Sequence, residues 1–131
     1  MTAFVDTNIV VRHLTGDPPD QATRATRYLA RSDELLLPDL TFADVAYVLE
    51  SFYEVPRPQL AQTLRAVLAF PAIRVVDGAL LQRAVEIYDI HRLDFADAYL
   101  VASAEMTGVA VVASFDHAID RVGTVNREEP A

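Results

Sequence analysis

Short, mostly apolar segments alternate with longer segments of helical periodicity, and this alternation is the feature that most limits the fold. Four of the apolar segments predict strands: Ala3–Val5, Leu35–Leu37, Ile73–Val76 and Val109–Ala113. Strands that are apolar at nearly every position tend to be buried on both faces, which is typical of parallel sheets covered by helices. We therefore expect an α/β protein with a mainly parallel sheet.

Helical periodicity predicts the structure between these strands. Pro18–Arg31 has proline in its first turn and repeats Ala22, Ala25 and Leu29 on one face. Apolar spacing predicts further helices at Asn8–Leu14, Thr41–Tyr53, Pro58–Phe70, Ala79–His91 and Phe95–Met106. A chain of 131 residues should form a single domain over residues 1–131. We expect the residues from about 126 onward to be a flexible tail.

The composition excludes several kinds of chemistry. The chain has no cysteine, so it lacks disulfides, thiolate nucleophiles and zinc–thiolate sites, which fits a reducing cytoplasm. All 11 basic residues are arginine, so no Schiff-base or Walker A lysine exists, and the four glycines are too far apart for a phosphate-binding loop. Charges interrupt every apolar stretch before the ~18 residues of a membrane helix. Asp6 also comes too early for a signal peptide, so we expect a cytoplasmic protein with no membrane partner.

The positions of the acids point to a site. The net charge of −8 opposes general attraction to nucleic acid, but acids gathered around a metal also give an acidic total. Asp6 and Asp116 each follow a predicted strand, and ligands bind outside the carboxyl ends of parallel strands. Asp94 and Asp97 are three residues apart at a helix start, which puts their Cβ atoms roughly 5–6 Å apart. Asp44 is expected in the first turn of a helix, on its core-like side.

Each acid also has a simpler structural explanation. Asp6 and Asp94 could cap helices. Asp97 could simply be favourable near the positive end of its helix, and Asp116 could be a turn residue. Asp44 is harder to explain in this way, because unpaired buried carboxylates are rare. Converging carboxylates would repel and raise each other's pKa unless a cation lay between them. Divalent ions held by such acids support in-line phosphodiester hydrolysis, which this pattern favours.

Four stretches of the chain resemble the successive motifs of PIN-domain ribonucleases, specifically VapC-type toxins of bacterial toxin–antitoxin pairs. They read FVDTNIVVRHLTGD, LPDLTFADVAYVLE, LDFADAYLVASA and VVASFDHAI, and span Phe4 to about Val125 in the family order. The resemblance implies a three-layer α/β/α sandwich with a central, mainly parallel sheet. It also implies an endoribonuclease that uses Mg²⁺ or Mn²⁺, with RNA as substrate and a cognate VapB-like antitoxin as inhibitor. We further expect a homodimer.

The resemblance also assigns roles to individual residues. The second acidic position of the family is usually Glu, and here it is Asp44, whose side chain is shorter by about 1.5 Å, roughly one C–C bond. The expected catalytic acids are Asp6, Asp44, Asp97 and Asp116. The expected metal ligands are Asp6, Asp97, Asp116 and, as an accessory ligand, Asp94. The expected supporting residues are Thr7, Asn8 and Ser114.

Several further features remain open. Arg24, Arg27 and Arg31 share one helical face and could contact RNA phosphates, or they could form a solvated face paired with Asp20 and Asp33. The three histidines, His13, His91 and His117, have no spacing that supports a metal-free nuclease.

The predicted helices Thr41–Tyr53 and Pro58–Phe70 carry much apolar surface. This surface belongs to the core or to a groove for a partner helix or a second copy, and it includes Phe42, Tyr47, Phe52, Tyr53 and Leu60. The alternative to an enzyme is a catalytically silent PIN-like module that binds RNA or protein. A phospho-accepting receiver is excluded, because lysine is absent and Asn8 stands where a second Asp is needed.

Overall fold

The computed structural model describes residues 1–131. The chain is divided into two compact units, with the boundary between residues 76 and 77. The first unit, Met1–Val76, contains three strands and four helices, and the second, Asp77–Ala131, contains two strands and two α-helices. Every strand pair is parallel, so the predicted α/β class is confirmed. The prediction of one domain over residues 1–131 stays a prediction.

The first unit is built around a three-stranded parallel sheet with the strand order β1-β2-β3. On the central strand, Leu35 lies opposite Ala3 on one side and Ile73 on the other, and it is fully buried. In chain order the elements are β1 (Thr2–Phe4), α1 (Thr7–Thr15), α2 (Pro19–Arg31), β2 (Glu34–Leu36), α3 (Asp39–Ser51), α4 (Arg57–Ala69) and β3 (Ile73–Arg74).

Helix α3 shows how the apolar pattern builds the core of this unit. Phe42, Val45 and Leu49 are buried, as their spacing predicts. Burying a side chain of this size contributes about 1.5–3 kcal/mol. The helix begins at Asp39, two residues before the predicted start at Thr41. Asp39 is favourable there because an acid in the first turn interacts with the positive end of the helix.

The second unit pairs two α-helices and two strands. Its elements are α5 (Gly78–Ile90), α6 (Phe95–Thr107), β4 (Val111–Ala113), a 3-10 helix (His117–Arg121) and β5 (Asn126–Glu128). Tyr88 of α5 and Phe95 of α6 meet edge to face with ring centroids 6.4 Å apart. Ala98, Val101 and Ala102 are fully buried along α6, so small side chains allow close helix packing.

A charged clamp also joins the two helices of the second unit. The Arg83 guanidinium donates to both carboxylate oxygens of Glu105, with each N–O distance 2.7 Å. Glu86 and Thr124 also bond to this pair. The hydrogen bond from Arg83 is the main reason that the pKa of Glu105 is lowered. Such a two-pronged arrangement fixes orientation as well as adding energy.

Residues 126–128 differ from the flexible tail that the sequence predicts. They form β5, whose Arg127 lies opposite Val112 of β4, and the amide of Ser114 donates to the Glu128 carbonyl at 3.0 Å. The segment Asn-Arg-Glu has no apolar pattern that would predict a strand. Backbone pairing and the contacts of Arg127 therefore determine its structure.

None of the helices is both long enough and apolar enough to cross a lipid bilayer.

Candidate active site

Helix α6 presents two of the predicted acids at its start. Asp94 is the N-cap residue and is exposed, but its side chain makes no capping hydrogen bond. Asp97 lies one turn further on and is only partly exposed, because Phe95 and Ala98 beside it are buried. Capping therefore does not explain Asp94, and packing holds Asp97 in its position.

Asp97 and Asp116 are brought together in the second unit. The pKa of Asp97 is raised first by its burial, then by the charge of Asp116 and by that of Asp94. Hydrogen bonding with the Asp116 carboxylate raises it further. Burial and neighbouring like charges both disfavour an ionised carboxyl group. The two side chains thus form a close carboxylate pair, with Asp94 as a third charge nearby.

A short turn after β4 holds Asp116 in this pair. The Asp116 amide donates to the Ser114 hydroxyl at 2.9 Å, and the Ala118 amide donates to Asp116 Oδ1, also at 2.9 Å. The predicted turn role of Asp116 is therefore real, but the turn uses only one of its carboxylate oxygens. Ser114, predicted as a supporting residue, is the group that fixes the backbone of this turn.

Arg127 anchors the same turn, and the sequence analysis missed it. Its guanidinium donates to the Ser114 carbonyl at 3.0 Å, to Asp120 Oδ1 at 3.0 Å and to Glu129 at 2.8 Å. Its side chain is only 10% exposed. The hydrogen bond to Asp120 is the main reason that its pKa is raised. No local sequence pattern predicts that Arg127 anchors the turn, because this role depends on the pairing of β5 with β4.

In the first unit, Asp6 lies between the end of β1 and the start of α1. The ladder ends with the Val5 amide, which donates to the Leu36 carbonyl at 3.0 Å, and Asp6 follows as the N-cap residue of α1. Its carboxylate makes no capping hydrogen bond and is exposed. Capping by the side chain is therefore not its role. Thr7 is partly buried in the first turn of α1, and Asn8 is exposed.

The structure corrects the predicted setting of Asp44. Because α3 begins at Asp39, Asp44 lies in the second turn and not in the first. It is exposed, whereas its neighbour Val45 is fully buried, so it is not on the core side of the helix. Burial is therefore no argument for a functional role of Asp44. Its exposed side chain shares a face with Leu40 and Tyr47, four residues before it and three after it.

Two of the three histidines make structural contacts. His13 Nδ1 lies 2.8 Å from the Thr26 hydroxyl, which joins α1 to α2. His117 Nδ1 lies 3.0 Å from the Arg127 guanidinium in the Asp116 turn. These contacts give no support to a nuclease based on histidine pairs.

The carboxylate pair has the chemistry that a hard divalent cation needs. No group of three or more His, Asp or Glu side chains is placed to hold a metal ion. Mg²⁺, however, is usually held by one or two carboxylates together with water and substrate phosphate. Asp97 and Asp116 supply two such groups, and their mutual repulsion is what a cation would relieve. The residues present therefore fit Mg²⁺ or Mn²⁺.

Comparison with known proteins gives a match over almost the whole chain. The family model of the PIN domain matches residues 3–125. A similar solved structure is that of VapBC2 from Rickettsia felis bound to a DNA fragment from their promoter, at 13% identity and a TM-score of 0.40, covering 100% of both chains. No curated protein matches the sequence.

The raised pKa of Asp97 predicts how stability depends on pH. In the folded chain Asp97 keeps its proton to higher pH than in the unfolded chain, so its ionisation lowers stability as pH rises through the folded pKa. Asp97→Asn cannot ionise. Its free energy of unfolding relative to the wild type should therefore rise with pH from about pH 4, near the unfolded pKa, and then level off. Each unit of pKa shift corresponds to about 1.4 kcal/mol.

Urea unfolding in EDTA across this pH range measures the effect. Because Asp116 contributes to the shift, the gain from Asp97→Asn should be smaller in an Asp116→Asn background. A difference between the variant and the wild type that stays constant or falls as pH rises would contradict the close carboxylate pair.

Proposed function

Because the chain belongs to the PIN-domain family, we propose that it is a divalent-metal-dependent endoribonuclease and the toxin of a type II toxin–antitoxin pair. PIN domains are generally metal-dependent nucleases. The observation that carries the proposal is the Asp97–Asp116 carboxylate pair, in which burial and then the charges of Asp116 and Asp94 raise the pKa of Asp97. RNA in the cytoplasm is the proposed substrate.

The residues of the second unit define how this activity would work. Asp97 and Asp116 would hold Mg²⁺ or Mn²⁺, with Asp94 as an outer acidic group. When bound, the cation would neutralise charge on the phosphate and make an attacking water more acidic. The turn formed by Ser114 and Arg127 keeps Asp116 in place, and the packing of Phe95 keeps Asp97 in place. These contacts preorganise the two oxygen donors before substrate binds.

We also propose catalytic roles in the first unit for Asp6 and Asp44, with Asp6 as a further metal ligand. Asp6 is supported by its position directly after β1 and by its free, exposed carboxylate. Thr7 and Asn8 would orient it. Asp44 is supported only by the resemblance to VapC-type toxins, and it has the shorter side chain at a position that is usually Glu. We therefore give Asp44 the weaker role, with contact through a water molecule.

Purified protein should cleave RNA only with Mg²⁺ or Mn²⁺. Asp97→Asn and Asp116→Asn should each lower the cleavage rate by at least a hundredfold, because each removes a charged oxygen donor from the proposed metal site. Asp33→Asn is the matched control, since Asp33 is an exposed acid paired with the N-terminal amine. Cleavage is measured with labelled RNA over time, with circular dichroism to confirm folding.

A graded series separates the acids further. Asp44→Asn should reduce cleavage less than Asp6→Asn or Asp97→Asn, and Asp44→Glu should keep or raise activity at limiting metal. Full activity in excess EDTA would overturn the metal-dependent proposal. RNA binding without cleavage by the wild type at any metal concentration would instead favour the catalytically silent module.

The exposed face of α3 supports a protein partner. Leu40 is 82% exposed and Tyr47 is 68% exposed, and Phe52 just beyond the helix is 76% exposed. Phe42 and Leu60 belong to the core, which was one of the two alternatives for these apolar residues. An apolar helix face of this kind fits an amphipathic partner helix. We propose that a VapB-like antitoxin covers it and that the chain also forms a homodimer.

The partner proposal predicts the effect of one substitution. Tyr47→Glu should weaken binding to the product of the neighbouring small reading frame by at least tenfold, because it places a charge in an apolar contact. Ile90→Glu is the control, since Ile90 is exposed on α5 in the second unit. Co-purification and light scattering measure binding and the oligomeric state. A neighbouring product that neither binds nor inhibits the wild type would contradict the antitoxin proposal.

A further inference from the structure

We propose that a pocket between α1 and α2 binds the phosphodiester backbone of the RNA substrate strand. This arginine pocket is lined by side chains from both helices, namely Asn8, Ile9, Arg12, Gln21, Arg24, Ala25, Arg27, Tyr28 and Arg31. The inference rests on the proposed ribonuclease function and adds the surface that holds the strand.

The two helices bring the cationic groups together because of their spacing. Arg24, Arg27 and Arg31 lie at i, i+3 and i+7 on α2, which is one helical face. At a rise of 1.5 Å per residue, Arg24 and Arg31 lie about 10 Å apart along the axis. Arg12 joins them from α1, on the same side as Asn8 four residues earlier. The row is long enough to contact more than one phosphate of a strand.

The size and lining of the pocket suit an anion. Its volume is about 550 Å³, within the roughly 300–1,000 Å³ typical of ligand pockets. Four guanidinium groups line it, and no carboxylate does. In a chain with net charge −8, such a gathering of positive charge is local and runs against the total. A local cluster of guanidinium groups attracts an anion through charge complementarity.

The arginines are not neutralised by the acids that the sequence offered as partners. Asp33 accepts instead from the N-terminal amine at 3.1 Å, and Asp20 does not line the pocket. Arg12 Nε is buried and has no hydrogen-bond partner. A buried charged donor without a partner costs free energy that a bound oxyanion would recover. Arg24, Arg27 and Arg31 are exposed to solvent, as the alternative of a solvated face expects, but they are not paired with Asp20 or Asp33.

The remaining lining favours nucleic acid over an acidic peptide. Tyr28 lies among the arginines, and aromatic rings with arginine are the usual platform on which single-stranded bases stack. The planar guanidinium fork matches phosphate oxygens in pairs. Asn8 lines one side of the pocket and is only two residues from Asp6, the proposed metal ligand. A strand held by the arginines would thus run close to the start of α1.

The test measures RNA binding separately from cleavage. In the Asp97→Asn protein, fluorescence anisotropy of a short labelled RNA of mixed sequence gives affinity as a function of salt concentration. Replacing Arg24, Arg27 and Arg31 together by Gln should weaken binding at least tenfold. The slope of log affinity against log salt should fall by about 2, since each single-strand phosphate contact contributes about 0.7.

Two controls keep the result specific. Arg74→Gln removes an exposed arginine of the same unit that does not line the pocket, and its binding should stay within twofold of the parent. Circular dichroism and melting temperature show that the triple variant is folded. Arg12→Gln, a single change at the partly buried arginine of α1, should weaken binding at least threefold and lower the salt slope.

The outcomes distinguish this inference from the function on which it rests. If the parent binds RNA and the wild type cleaves it, but the triple variant keeps the same affinity and salt slope, the pocket inference is overturned. If the parent fails to bind RNA and the wild type fails to cleave it, the ribonuclease proposal falls as well. Tighter binding of oligoglutamate than of RNA, lost in the triple variant, would overturn the RNA assignment in favour of an acidic peptide.

Discussion

Repulsion between the carboxylates of Asp97 and Asp116 is the interaction on which the proposed activity depends. Two like charges do not stay together unless the fold holds them there. Here the packing of Phe95 and Ala98 fixes one side chain, and the turn anchored by Ser114 and Arg127 fixes the other. Burial of Asp97 and, after it, this repulsion raise the pKa of Asp97. A divalent cation would turn this unfavourable arrangement into binding energy.

Positive charge is concentrated in the arginine pocket, although the net charge of the whole chain is negative. The acidic total would repel RNA at long range. The arginine pocket offers four cationic groups between α1 and α2, against this general trend. We infer that the pocket holds an RNA strand although the chain as a whole is acidic.

Many features of the fold and of the candidate site could be predicted from the sequence, because local patterns determine them. The apolar strands and the helical spacing predicted the parallel pairing and all six α-helices, with ends displaced by one or two residues at most positions. The spacing of Asp94 and Asp97 predicted their common place at the start of α6. The rest depends on contacts between distant residues. Arg127 acts only because β5 pairs with β4, and Arg12 meets the arginines of α2 only because two helices pack together. Asp44 is exposed because it lies opposite the buried face of α3 formed by Phe42, Val45 and Leu49, so the helical spacing already indicated an outward side chain.

Metal binding by the carboxylate pair tests the central claim most directly, because it needs neither a substrate nor a partner. Thermal unfolding of the wild type at neutral pH, followed while Mg²⁺ is titrated, measures it. A ligand at a hundredfold excess over its Kd stabilises a fold by about 2.7 kcal/mol. We predict that Mg²⁺ raises the melting temperature of the wild type progressively, and that Asp97→Asn and Asp116→Asn each remove most of the rise. No rise in the wild type, or an equal rise in both variants, would contradict the account.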